Sequence, residues 1–140
     1  MSYGTALALQ QAIYQRLTAN ATLTVLVGAA IFDAVPPGVT TGTYVALGSE
    51  DVREAGDATG QGALHEVTIS VVSDASGFAT AKEVAVAVSD ALEHAPLILA
   101  RGHLISLTFH RARARRVQDA DMRRIDLKFR ARVQDSQPTE

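Results

Sequence analysis

From Arg124 to Val133 the chain alternates between charged and apolar side chains without a break. Ile125, Leu127, Phe129, Ala131 and Val133 share one side; Arg124, Asp126, Lys128, Arg130 and Arg132 share the other. A period of two belongs to a β-strand, and one dry face with one wet face belongs to an antiparallel sheet covered on one side only. A second stretch, Ala63 to Val72, repeats the pattern, with Val67, Ile69 and Val71 opposed to Glu66, Thr68 and Ser70. Whatever fold this chain adopts must cover one face of that sheet with another layer.

Helices supply the layer. Leu9, Ile13 and Leu17 recur every four residues within Thr5–Ala19, which predicts an amphipathic helix. Asn20 is a natural cap for a short helix over 21–27, with Gly28 at its end. Phe78 to His94 predicts the longest helix, with Ala81, Val84, Ala85, Val88 and Leu92 as its buried stripe and Pro96 as its stop. An extended piece at Ile31-Phe32 runs into Pro36-Pro37-Gly38, and Thr43–Leu47 is strand-like. The expected order is ααβββ-α-ββ: an α+β fold, its mostly antiparallel sheet carrying helices on one face. One domain is expected over 1–135, followed by a polar tail, 136–140.

The partner strand, His103–Val117, is less regular. Ile105, Leu107 and Phe109 share a parity that Arg111, Arg113 and Arg115 then continue. Either a bulge near His110-Arg111 resets the phase and turns Ala112 and Ala114 inward, or the hairpin outruns the core and both faces of its tip are wet. In both cases a β-hairpin turning at "QDAD" projects as a basic arm. Such an arm can dock on a neighbour by strand addition or ion pairing.

Ser49–Gly62, "SEDVREAGDATGQG", is acidic, glycine-rich and poor in large apolar side chains. That composition predicts a mobile loop, Asp51 to Gln61, which orders against a neighbour. The net charge of −2 also hides an asymmetry. Residues 1–100 carry three basic and ten acidic side chains, whereas 101–140 carry ten basic and five acidic. An acidic front and a basic back suit a charged partner or head-to-tail self-association. The residues expected at such an interface are Asp51, Arg53, Glu54 and Asp57 from the loop, with Arg111, Arg113, Arg115, Arg116, Arg123 and Arg124 from the hairpin.

Catalytic chemistry finds little footing. There is no cysteine, and His65, His94, His103 and His110 lack the spacing of a metal-binding helix. His65 shares the parity of a buried strand face, and His94 falls at an expected helix C-terminus, where a cation is favoured. The pairs Glu50-Asp51 and Asp119/Asp121 sit in polar segments, where carboxylates keep ordinary acidity. Gly56, Gly60 and Gly62 have no following Lys-Ser/Thr. No catalytic residue, metal or cofactor is expected. No apolar run reaches the roughly 20 residues of a membrane span. The start, Met1-Ser2-Tyr3-Gly4, lacks a basic n-region, against a secretory signal. Nucleic-acid binding through the arginine hairpin is a second reading. Aromatic stacking platforms are missing there, so phosphate contact is what it could offer.

Taken in order, "ALQQAIYQRLTAN", "LVGAAIFDAVPPG", "TYVALGSED", "HEVTISVVSDASGFATAKEVAVAVSDAL", "LISLTFHRAR" and "DADMRRIDLKFRARV" resemble the tail terminator, or tail completion, proteins of long-tailed phages and gene transfer agents. The resemblance spans roughly Thr5 to Val133. It implies a non-enzymatic subunit of a hexameric ring that caps the tail tube, stops its polymerisation and joins the tail to the neck. The implied partners are copies of itself, the major tail tube protein and a neck or stopper protein, with DNA only in transit and no membrane. The implied place is the tail-neck junction of a particle assembled in the bacterial cytoplasm. A head-tail connector or stopper is the nearest alternative of the same kind.

Overall fold

The computed structural model describes residues 3–36, 38, 41–55, 62–117 and 121–135. Two helices come first, α1 (Ala6–Thr18) and α2 (Ala21–Val27). Strands β1 (Ile31–Phe32), β2 (Thr43–Glu54) and β3 (Gly62–Ser73) follow, then α3 (Ala79–Leu92), β4 (His103–Val117) and β5 (Met122–Gln134). The five strands form one sheet in the order β1-β2-β3-β5-β4. Only the β1–β2 pair is parallel. The α+β class and the element order match the expectation.

The alternation in β5 and β3 fixes which face is dry. Ile125, Leu127, Phe129, Ala131 and Val133 are buried, and so are Val67, Ile69 and Val71 beside them. Helix α3 lies across β3 and β5, and α1 and α2 pack on α3. Small residues let the layers approach: Ala81, Ala85, Ala87 and Ala91 are all buried. Leu9, Ile13 and Leu17 of α1 complete the core. Arg16 Nε donates to the carbonyl of Ala91 at 3.0 Å and joins α1 to α3.

Local signals explain the boundaries. The Asn20 side chain accepts from Leu23 N–H at 3.0 Å, and Gly28 has φ +61° where α2 ends. Helix α3 stops at Leu92, short of Pro96. Glu93 is extended and His94 is left-handed with φ +60°. The His94 N–H donates to the Leu107 carbonyl of β4, so His94 lies past the last helical turn and serves to pin the helix exit to the sheet.

Two strands differ from expectation. β2 runs through Asp51–Glu54, where a loop was expected, and pairs with β3 as far as Glu54↔Ala63. A bulge between Leu47 and Glu50 resets its register, and Glu50 then takes an inward position opposite Val67. Its carboxylate is satisfied there by His65 and Tyr3, so an acidic strand costs little. The expected loop residues 56–61, Asp57 among them, lie outside the described residues.

β4 holds two irregularities. One falls at His110, between Phe109↔Phe129 and Arg111↔Lys128, where the parity break had pointed. It places Ala112 opposite Leu127 and Ala114 opposite Ile125. Both alanines are nonetheless exposed, so the phase flips and the hairpin also outruns its helical cover. The other falls between Leu104 and Ser106 and pushes Ile105 out to 55 % exposure, so it does not share the burial of Leu107 despite their common parity.

Candidate functional site

The uncovered face of the sheet carries a dense row of charged side chains. By register it presents Arg111, Arg113 and Arg115 from β4 and Arg124, Asp126, Lys128, Arg130 and Arg132 from β5. Glu66, Thr68 and Ser70 follow from β3, then Asp51 and Arg53 from β2. Eight cations thus face three carboxylates on that surface.

The cations of β4 and β5 divide into two groups. Those on β5 are anchored within the sheet. Arg124 Nε meets Asp126 Oδ1 at 3.0 Å and Arg124 Nη2 donates to Ser70 Oγ at 3.1 Å, while Ser70 donates to Asp126 at 2.6 Å. Glu66 lies 3.9 Å from Lys128 Nζ and 3.7 Å from Arg130 Nε and His110 Nε2. Arg132 Nη2 donates to the Ala55 carbonyl at 2.8 Å. On β4, by contrast, Arg111, Arg113 and Arg115 make no side-chain hydrogen bond or ion pair among the described residues.

Register adds a cost. Arg111 faces Lys128 and Arg115 faces Arg124 across the hairpin. Like charges directly opposite destabilise a sheet by roughly 0.2–1 kcal/mol each. Arg113 faces Asp126 between them, which offsets part of this cost, and an anionic partner outside the subunit would offset more. The three arginines line an open concavity with Asp126 and Lys128.

The expected interface residues do not all meet. Asp51 and Arg53 share the open face with Arg111, Arg113, Arg115 and Arg124, but lie across the sheet from the β4 arginines. Glu54, Arg116 and Arg123 take the opposite, helix-side parity. Arg123 is mostly buried: its guanidinium lies 6.0 Å from the Phe78 ring, and Nη1 donates to the Ala75 carbonyl at 3.4 Å. It braces the turn before α3 and is a poor docking residue. Arg116 and Arg123 flank Asp121 at 4.0 and 3.5 Å. Glu66, Lys128, Arg130 and Arg132 belong to the open face, and strand parity alone could have placed them with the site.

One buried row has the look of catalytic chemistry. Thr5 Oγ1 lies 3.4 Å from His65 Nε2, and His65 Nδ1 lies 3.0 Å from Glu50 Oε2. Thr5 is 1 % exposed and His65 is fully buried, so the hydroxyl is not presented to a substrate. The Tyr3 hydroxyl donates to Glu50 Oε1 at 3.0 Å, and this bond, with the carboxylate's charge, holds the Tyr3 phenol above its ordinary value. The row ties the N-terminal segment to β2 and β3. Among the described residues no group of three or more His, Cys, Asp or Glu could hold a metal ion, and no helix is long and apolar enough to cross a membrane.

Comparison with known proteins supplies the lineage. No curated protein matches the chain. Among solved structures, it is similar to a chain in the virion of a native gene transfer agent particle, with 63 % identity and a TM-score of 0.90 over 95 % of this chain and 99 % of that one. Residues 11–134 match the family described as tail completion protein gp17. With this match running from α1 to the end of β5, the chain belongs to the tail completion protein gp17 family.

Proposed function

We propose that the protein is a structural component of a phage-like particle, a tail terminator. Six copies form a ring that caps the tail tube, stops its polymerisation and joins the tail to the neck. The observation that carries this reading is near full-length similarity, at 63 % identity, to a chain of a gene transfer agent virion. The structure fits such work. Its sheet presents a broad charged face, and its histidine–carboxylate pair holds the subunit together. A cyclic ring needs two different matching patches on each subunit, and the two sides of this sheet differ in charge. The major tail tube protein and a neck protein are the further partners, and DNA passes only in transit.

The test is to produce particles without this chain and image them. Overlong tails, or tails not joined to heads, are expected. Tails of normal length joined to full heads would contradict the proposal.

A further inference from the structure

The sheet ends in two strand edges of unlike charge. β4 is its last strand on one side. The near half of that edge is occupied: the Leu107 carbonyl accepts from His94 N–H, and the Phe109 N–H donates to Glu93 Oε2. Beyond the bulge, Arg111–Val117 carries four arginines and no acid. On the other side β1 covers only Val45 and Ala46 of β2. Past the β2 bulge the edge carries Glu50, Asp51 and Glu54 against Arg53. Each open stretch is six or seven residues long, about 20 Å at ~3.3 Å per residue.

We infer that the Arg111–Val117 edge of β4 pairs with the Ser49–Glu54 edge of β2 in a second copy of the chain, and that this strand-to-strand joint links successive subunits. The inference rests on the ring reading above and names the surfaces that build it. Three observations support it. First, β2, β3, β5 and β4 alternate in direction, so a β2 added beside β4 runs antiparallel and continues the alternation; register sets Arg113 level with Ala46 and not with Asp51, so the joint requires strands inclined to the ring axis, as in a closed barrel. Second, the charges select this pairing over the alternatives. Joining β4 to β4 would face arginines with arginines, whereas β4 against β2 brings Arg113 and Arg115 to the edge that carries Asp51. Third, Arg111, Arg113 and Arg115 lack side-chain partners among the described residues, so these three side chains can turn to a neighbour without giving up a contact there. Charge on an edge strand also prevents aggregation. That role does not account for an acidic stretch on the opposite edge of matching length.

The test uses two charge-reversed chains, supplied singly or together to cells that produce particles but lack the natural chain. One carries Arg113→Glu and Arg115→Glu; the other carries Asp51→Lys and Glu54→Lys. Circular dichroism establishes that each is folded. Each alone has like-charged edges and should leave tails unjoined. Together they can alternate around an even-numbered ring, and joined tails should return. Normal assembly by either chain alone overturns the joint while leaving the ring reading intact. Failure of the mixture to restore joining also overturns it, and points instead to a polyanion on the arginine face. If the natural chain, supplied as control, never enters particles, it is the ring reading that falls. A second measurement does not depend on charge reversal. The chain has no cysteine, so Ala112→Cys can be combined in turn with a cysteine at each position from Ser49 to Glu54. A ladder of oxidised multimers from particles is expected for at least one pair, and its absence for all six overturns the inference.

Discussion

The Nδ1 atom of His65, on β3, lies 3.0 Å from Oε2 of Glu50, on β2. Few contacts explain more of the structure. The imidazole is fully buried, and its other nitrogen faces Thr5 Oγ1. The acidic strand, the β2 bulge and the N-terminal segment all converge on this ring.

Removing the carboxylate should therefore be felt beyond the surface. Glu50→Ala leaves a buried ring nitrogen without its partner, which costs roughly 1–3 kcal/mol. A fall in Tm of several degrees is expected in thermal unfolding, and Glu50→Gln, which keeps an acceptor, should lose less. An unchanged Tm for Glu50→Ala would show that the contact contributes nothing.

The same carboxylate sets the behaviour of Tyr3 in alkali. The hydrogen bond to Glu50, then its charge, raises the phenol above its ordinary value of 10.0. The folded state thus holds the phenolic proton more tightly than the unfolded chain does. The stability this contributes is complete below pH 10.0 and is lost as pH rises through the raised value. Ultraviolet titration of tyrosinate should show a late component that Tyr3→Phe removes.

The core prediction concerns the edge-to-face pair Phe109–Phe129, with ring centroids 5.9 Å apart. Phe129 is fully buried and Phe109 is 39 % exposed. Phe129→Ala should cost about 3–5 kcal/mol in denaturant unfolding. Phe109→Ala should cost clearly less, because its site opens to water and leaves no sealed cavity. Equal losses would contradict the assignment of β4 beyond Phe109 as an arm outside the core.

Gly102 marks the entry to β4 with φ +82°, and a Cβ there would sit 2.6 Å from the Gln134 carbonyl and from Thr5 Cγ2. Gly102→Ala combines backbone strain with a clash against β5 and should destabilise by at least about 1–3 kcal/mol. Gly28→Ala is the control. It shares the left-handed backbone but meets nothing within 4 Å, so strain alone should make it the milder change.

Much of this was legible in the residues. The unbroken alternation of Ile125–Val133 identified the core face, Asn20 and Gly28 bounded α2, and the parity break at His110 marked a bulge. The extension of β2 was not legible. Of Ser49–Glu54 only Val52 is a large apolar residue, and Glu50 faces inward because of partners on β3 and near the N-terminus. Local pattern carries no trace of such distant compensation. The exposure of Ile105 was hidden for a similar reason, since an extra residue in β4 turns it outward. The opposition of acidic and basic edges also depends on the spatial order β2-β3-β5-β4, which follows from packing and not from chain order.

The proposed role depends on where the chain sits in the particle and in how many copies. A cryo-electron reconstruction of the complete particle, with this sequence built into its density, addresses both. A single ring of six copies at the head-proximal end of the tail tube is expected. Copies stacked along the tube, or a different symmetry at another place in the particle, would contradict it.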